Sequence, residues 1–597
     1  MEDKNTYIAG EDGRLMEKRW DLSGLVPPAK TREFDRFLEK LDDDVKMVEA
    51  ARSRLEDFSG KEFLEIIKVK ERIAESSNRL SAYAYLWFSE DTSNSKARAF
   101  LSRVEDLSAG YANRIVFFNL WFKGLEEKKA RKLVKAAPGY GYFLTRIREL
   151  KQYSLKEEEE KIINLKDLSG NNTLTKVYDM ITAGFTFPLI VNGEKKMLSQ
   201  EELKKYFRHH DGKMRAAAYR SVYRVFGEQG QVLGEIYRSL VNDWKNEQLV
   251  LRRYKSPVAV RNIANDVPEE AYHALLNVVR KNVGFFQSYF DLKFKVCGVK
   301  EKSRYHIYAP YQAAEKRMSY ESAVKLVLEN FRKVSPRMAD LAENVVKQNH
   351  VDVEIKKGKR SGAFCYSITP KITPYVLLNY DGTVRDVFTL AHELGHAVHG
   401  QLASKHSVLT FHATIPLAET ASIFSEMMLF EKLTNEEKSG ELRKGMLIQK
   451  LDDVYGSIGR QAYFTFFEEN AHRMVAEGAG VDELKVEYLK ELREQFGSIN
   501  VPEEFQWEWT YIPHIYHSPF YCYGYSFGNL LTLTLYERYK EEGASFVPEY
   551  LKILEAGGSE SPQKVLERAG MDICSEKFWQ SGFEVIEKMV NDLKKMR

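Results

Sequence analysis

The stretch Thr383-Val-Arg-Asp-Val-Phe-Thr-Leu-Ala-His392-Glu393-Leu-Gly-His396-Ala-Val-His399-Gly400 decides how the rest of the chain is read. Thr383 and Asp386 have capping-box spacing and Gly400 can close a helix, so the stretch predicts one helix ending there. At 3.6 residues per turn, His392 and His396 differ by about 40° and lie one turn apart on one face. Two such imidazoles can converge on one ion at roughly 2.0–2.1 Å each, as zinc requires. Glu393 stands beside the pair, where a carboxylate can reach a water held by that ion. Borderline-soft Zn²⁺ suits imidazole and carboxylate ligands, needs no redox partner and lowers the pKa of its water.

A catalytic zinc needs a third protein ligand and an open position. The pattern H-E-x-x-H-x-x-G-x-x-H would put Gly at 399 and His at 402, where this chain has His399 and Leu402, so that arrangement is excluded. A carboxylate from a second helix is the other solution. Pro416-Leu-Ala-Glu419-Thr-Ala-Ser-Ile-Phe-Ser-Glu426 supplies it: Pro416 can start a helix, and Glu419 and Glu426 are seven apart on one face. Ala418, Ala421 and Ser422 are small enough to let two helices pack closely. Glu419 is the candidate third ligand. Glu426 is the candidate acceptor for the spare N–H of a ligating histidine.

Residues 505–527 form a third region, in which ten of 23 residues are aromatic, with His514 and His517 among them. Amide hydrolysis creates a tetrahedral oxyanion that needs donors beyond a metal, and tyrosine O–H and histidine N–H are suitable. Taken alone, such a run reads as core.

Composition bounds the alternatives. The chain has 597 residues, a net charge of +3, 44% apolar, 12% aromatic and 29% charged residues, a globular profile too apolar for disorder. Near-neutrality argues against a dedicated nucleic-acid or membrane-surface binder. No apolar run approaches the ~18 residues of a membrane span, and the charged stretch 1–20 has no signal-peptide core. Four widely spaced cysteines fit neither a zinc ribbon nor a disulfide framework, so a reducing cytoplasm is expected. Histidines number 13, yet His392, His396, His399, His406 and His412 fall close together.

Most of the chain reads as amphipathic helix, with stripes over 31–57, 62–125, 266–298 and 320–349, the third as one long helix closed by Gly298. Ser154-x-x-Glu157 and Ser199-x-x-Glu202 predict helix starts, and Glu157–Glu160 a solvated helix face. Phe187–Val191, Asn192-Gly193 and the run to Leu198 predict a hairpin, and 363–368 and 375–380 two strands before the histidine helix. A domain boundary near 200 is expected, where the hairpin interrupts the helical pattern.

With these regions assembled, the chain resembles the M3 family of zinc metallopeptidases, in particular its oligoendopeptidase F branch. The resemblance rests on the zinc motif and on Trp20-Asp-Leu-Ser-Gly-Leu25, Ser256-Pro-Val-Ala-Val-Arg-Asn-Ile-Ala-Asn-Asp266, Arg360-Ser-Gly-Ala-Phe-Cys365 and Pro374-Tyr-Val-Leu-Leu-Asn-Tyr-Asp-Gly382. It also rests on Pro513-His514-x-Tyr516 and Tyr521-x-Tyr523-x-Tyr525. It implies one Zn²⁺ on His392, His396 and Glu419, with Glu393 as general base and Glu426 as the family's second glutamate. It implies that His514 and a tyrosine hold the substrate carbonyl and oxyanion: Tyr525 first, with Tyr516 or Tyr523 able to share the role. His517 stands where that branch is expected to have an apolar residue.

The implied fold is mainly α: a large helical body with a deep substrate channel and a small sheet near the zinc helix. An N-terminal helical domain, 1–200, would precede a catalytic domain, 201–597. The implied activity is hydrolysis of short oligopeptides within their length, with no nucleic-acid or membrane partner, and 361–368 could offer an edge to an extended peptide. The rival readings are a zinc carboxypeptidase of similar architecture and a non-catalytic helical peptide-binding protein.

Overall fold

The computed structural model describes residues 7–9, 15–17, 19–311 and 317–596; the rest of the charged N-terminal stretch lies outside these. The described residues are 72% helical with only small sheets, as the stripes predict. It divides into two units: Met1–Ser154, Glu315–Leu433 and Arg538–Ala569 form one, and Leu155–Ala314, Thr434–Glu537 and Gly570–Arg597 the other. The expected boundary near 200 falls inside the second unit.

In the first unit, helices Arg32–Ala50, Gly60–Glu90 and Ser95–Gly124 pack through Leu41, Val45, Phe63, Ile67, Phe118 and Phe122, all buried. The stripe over 62–125 is therefore two helices, because Asn94 caps the second by accepting from the Lys96 and Ala97 N–H groups. Likewise 320–349 divides into Tyr320–Val334 and Pro336–Lys347, since Pro336 lacks the N–H that would continue the first.

A three-stranded sheet follows. Tyr375–Leu377 is central, parallel to Val351–Asp352 and antiparallel to Phe364–Tyr366. Both expected strands form, shortened, and Val351–Asp352 joins them without having been predicted: two residues are too short for a period-2 signal. The N-terminal motif anchors this sheet. Trp20 packs 6.3 Å from Phe364 and 6.1 Å from Tyr375, and its Nε1 donates to Glu90 at 2.6 Å. The Tyr375 hydroxyl donates to the Asp21 carbonyl at 2.8 Å. Buried Lys359 donates to the Glu354 and Leu378 carbonyls, both at 2.7 Å, and to the Asp352 carboxylate.

In the second unit the hairpin Phe187–Val191/Glu194–Leu198 turns through Asn192 and Gly193, both at positive φ, as Asn-Gly predicts. Ser199 and Glu202 form the predicted capping box. Ser154 does not cap: its hydroxyl donates back to Leu150, and helix Glu157–Ser169 begins after Lys156, whose N–H goes to Glu159. Glu160, expected as part of a solvated face, instead takes Arg252 in a two-point ion pair, each contact 2.8 Å. The expected helix over 266–298 breaks into Glu269–Lys281 and Val283–Val296, because the Asn282 side chain donates to the Val278 carbonyl and to Gln580. Glu508, buried, is held by Arg304 at 2.9 Å and Arg460 at 3.0 Å. All four cysteines are free thiols. Among the described residues no helix is long and apolar enough to cross a membrane.

Candidate active site

Helix Val384–Leu402 begins as predicted: the Asp386 N–H donates to the Thr383 hydroxyl and the Thr383 N–H to the Asp386 carboxylate. It runs past Gly400, which serves contact rather than termination. A Cβ there would lie 2.3 Å from Ser367 Oγ, so glycine lets the helix approach the strand segment before it. Gly395 does the same on another side, where a Cβ would meet Ser422 Cα at 2.6 Å and the Ala421 carbonyl oxygen at 2.7 Å. The small residues Ala421 and Ser422 thus form the predicted close crossing.

The expected single helix from Pro416 is interrupted. A short turn Ile415–Ala418 is followed by helix Ser422–Glu436, and Glu419 sits at the break between them. The close crossing at Gly395 occupies that break, and the Ser422 hydroxyl fixes Glu419 by donating to its Oε2 at 2.8 Å.

The helix face and the break converge. Nε2 of His392 and Nε2 of His396 are 3.1 Å apart, and Oε2 of Glu419 lies 3.5 Å from each. All their candidate ligand atoms fall within 4.8 Å of one another. His392 Nδ1 faces Glu426 Oε1 at 2.5 Å, so the ring proton belongs on Nδ1 and Nε2 presents a lone pair. Two imidazole nitrogens and a carboxylate oxygen aimed at one point repel each other unless a cation shares it. The donor set fits zinc, and it leaves a cavity side open.

A cavity of about 540 Å³ opens at this point, lined by the strand Phe364–Tyr366, His392, Glu393, His396 and Glu419. That strand is an edge of its sheet, as expected for 361–368. Glu393 is 6% exposed, and burial pushes its carboxyl up to about 7, reinforced by Glu419 and Glu426 and opposed by His392 and the Cys365 amide. For His392, burial lowers the pKa but Glu426, Glu419 and Glu393 outweigh it, so the surroundings favour a positive charge at this point. Burial holds His396 and His399 down to about 4. His399 and His412 line the cavity, whereas His406 Nε2 bonds the Glu555 carbonyl at 2.8 Å.

The aromatic region belongs to the second unit. His514 is on the short helix Pro513–His517 and Tyr525 near the start of Tyr523–Glu542. Their ring centroids are 6.0 Å apart, and Tyr521 lies 6.0 Å from His514 and 5.3 Å from Tyr525. Sequence reasoning left Tyr521 out as a candidate, although its position four residues before Tyr525 is a signal for a shared face. Phe520, at φ +57, makes the turn between the helices, and its N–H goes to the buried Glu468 carboxylate at 2.8 Å.

Two candidates are placed elsewhere. The Tyr516 hydroxyl donates to the Leu233 carbonyl and its ring stacks 3.8 Å from Tyr178, while the Tyr523 hydroxyl accepts from Asn265 at 2.9 Å. Both are buried core tyrosines. His517 is exposed and pairs with Asp179 at 2.9 Å.

Comparison with known proteins follows the same lines. A family model described as Oligopeptidase F matches residues 121–187, and one described as peptidase family M3 matches 206–585. Oligopeptidase PepF of Bacillus subtilis is 26% identical over 594 residues, covering 97% of this chain and 87% of that protein. An oligoendopeptidase F homolog of Lactococcus lactis is 26% identical, covering 99% of each. A crystallised chain from Chlamydophila abortus superposes with a TM-score of 0.85 at 25% identity, covering 97% of this chain and 98% of that one. Oligoendopeptidase F from Enterococcus faecium superposes at 0.73 with 22% identity, covering 94% and 98%, a likeness of fold. With its M3 match spanning most of the sequence, the chain belongs to peptidase family M3.

Proposed function

We propose that this chain is a zinc-dependent endopeptidase of short oligopeptides, held by one Zn²⁺ ion on His392, His396 and Glu419. The observation that carries this is the convergence of His392 Nε2, His396 Nε2 and Glu419 Oε2 beside a cavity that also holds Glu393. When bound, zinc polarises a peptide carbonyl and makes water more acidic. Glu393 is the general base: its carboxylate takes a proton from the attacking water and returns it to the leaving amine nitrogen. A carboxyl whose pKa is lifted toward 7 suits both halves of that exchange. Glu426 accepts the His392 Nδ1 proton and so keeps Nε2 available as a donor pair.

The edge strand Phe364–Tyr366 lines the same cavity, where an extended peptide can align along it. His514 and Tyr525 are read as the donors to the oxyanion. Their grouping with Tyr521 supports this, as does the resemblance of Pro513–Tyr525 to the family's His/Tyr segment. Residues 201–597 hold all of these groups and are read as the catalytic part, with 1–200 as the N-terminal helical part. Free thiols support a reducing cytoplasm as the compartment.

Mass-spectrometric mapping of peptides amidated at the C-terminus, with and without chelator, tests the reading. Internal cleavage that chelation stops is expected. Stepwise loss of C-terminal residues from free-acid peptides alone would replace it with a carboxypeptidase, and chelator-insensitive cleavage would remove the metal.

A further inference from the structure

The second unit contains another cavity, of about 760 Å³, that the peptidase reading does not use. It opens at the start of helix Gly212–Glu228 and against the segments 296–301 and 306–311. Lys213, Arg215, Lys300, His210 and His306 line it, against Asp211 and Glu301 as its only acids among the described residues.

Arg215 is the unusual group. It is 3% exposed, yet its guanidinium enters no ion pair among the described residues. Nη1 donates to the His209 and His210 carbonyls at 2.6 and 3.0 Å, and Nε has no partner there. Its hydrogen bonds go to neutral carbonyls, and burial pulls its pKa down, with Asp211 among the groups opposing that shift. His306, 4% exposed, also lines the cavity, and its Nδ1 has no hydrogen-bond partner among the described residues.

Gly212 packs tightly against the two groups: a Cβ at this position would lie 3.3 Å from Arg215 Nη2 and 3.4 Å from His306 Cε1. The two acids are engaged: Asp211 accepts the Lys213 N–H at 2.9 Å, and Glu301 lies 3.7 Å from His306 Nε2.

We propose that this cavity binds the phosphate group of a small organic phosphate, with Arg215, Lys213 and Lys300 as its cationic ligands beside His306. A planar fork and two ammonium groups match a dianionic tetrahedral oxyanion better than a single carboxylate, for which Arg215 alone would suffice. The volume exceeds what inorganic phosphate fills, and Val296, Val299, Pro310 and Tyr311 give the remainder an apolar wall. The assignment is independent of the peptidase reading.

Calorimetric titration of the full chain with inorganic phosphate and with phenyl phosphate, at constant ionic strength set by chloride, tests it. Saturable binding of one phosphate per chain is expected, tighter for phenyl phosphate. The double variant K213E/K300E changes exposed lysines only and should weaken both by at least about tenfold, because each reversal turns attraction into repulsion. Arg215→Gln should abolish binding; where that variant fails to fold, the lysine variant carries the test. Binding must survive His396→Ala, which separates it from anion capture at the metal ligands. Absence of saturable heat at millimolar phosphate, equal affinity in K213E/K300E, or loss of binding in His396→Ala would each overturn the assignment. Binding of inorganic phosphate with none of phenyl phosphate would overturn the organic ligand.

Discussion

His392 and Glu426 are 34 residues apart in the chain, yet Nδ1 of the first stands 2.5 Å from Oε1 of the second. The contact orients the imidazole and raises its basicity, so under the proposed zinc site a residue outside the ligand set would govern how well the ion is held. Glu426→Gln is expected to weaken zinc binding about 10–100-fold, read by competition with a chromogenic chelator. Unchanged affinity would show that the ring needs no anchoring carboxylate.

Glu393 carries a different burden. Glu393→Gln preserves shape and leaves His392, His396 and Glu419 in place, so the variant should keep stoichiometric zinc by elemental analysis. Its kcat should fall by at least about 10²–10⁴-fold, the usual contribution of a proton-transfer group. Parental turnover would remove Glu393 from the proton path.

Tyr525 and Tyr523 make a matched pair. Tyr525→Phe should lower kcat about 10²–10³-fold if its hydroxyl meets the oxyanion. Tyr523→Phe should leave kcat within a few-fold and instead cost about 1–3 kcal/mol of stability, because buried Asn265 loses its acceptor. Urea unfolding beside steady-state kinetics separates the two, and the reverse pattern would exchange their roles.

Gly395 is a packing prediction. Its Cβ would meet backbone atoms of Ala421 and Ser422, which cannot rotate away. Gly395→Ala is expected to cost about 1–3 kcal/mol in urea unfolding and to lower zinc occupancy, since the displaced helix carries Glu426 and adjoins Glu419. A variant as stable as the parent would mean that the two helices separate freely.

Glu468 gives a pH dependence. Burial pushes its carboxyl up to about 8, from an ordinary value of 4.5. The folded pKa is raised, so its contribution is whole below about 4.5 and is lost as pH climbs through about 8. Between those values the group should erode stability by about 1.4 kcal/mol per pH unit. Glu468→Gln keeps an acceptor for the Phe520 N–H and cannot ionise, so its unfolding midpoint should fall less steeply from pH 5 to 8. Parallel profiles for parent and variant would count against a buried protonated carboxyl.

What could be read from sequence was what depends on neighbours within a few residues. The i, i+4 pair His392/His396, the Thr383 and Ser199 caps and the Asn192-Gly193 turn are local geometry, and they stand where the sequence puts them. The choice of Glu419 and Glu426 was also legible, through their spacing and the small residues around them. The tertiary structure decided what depends on distant partners. Gly395 against Ala421 and Ser422 accompanies the helix break that sets Glu419 beside the histidines. Asn282 divides a helix by bonding Val278 and Gln580, the latter 298 residues away. Leu233 and Asn265 hold the Tyr516 and Tyr523 hydroxyls in the core, and Tyr525 stands beside His514. A hydroxyl's partner, a carboxyl's burial and the burial of Arg215 are set by which segments meet, and no periodicity along one segment encodes that.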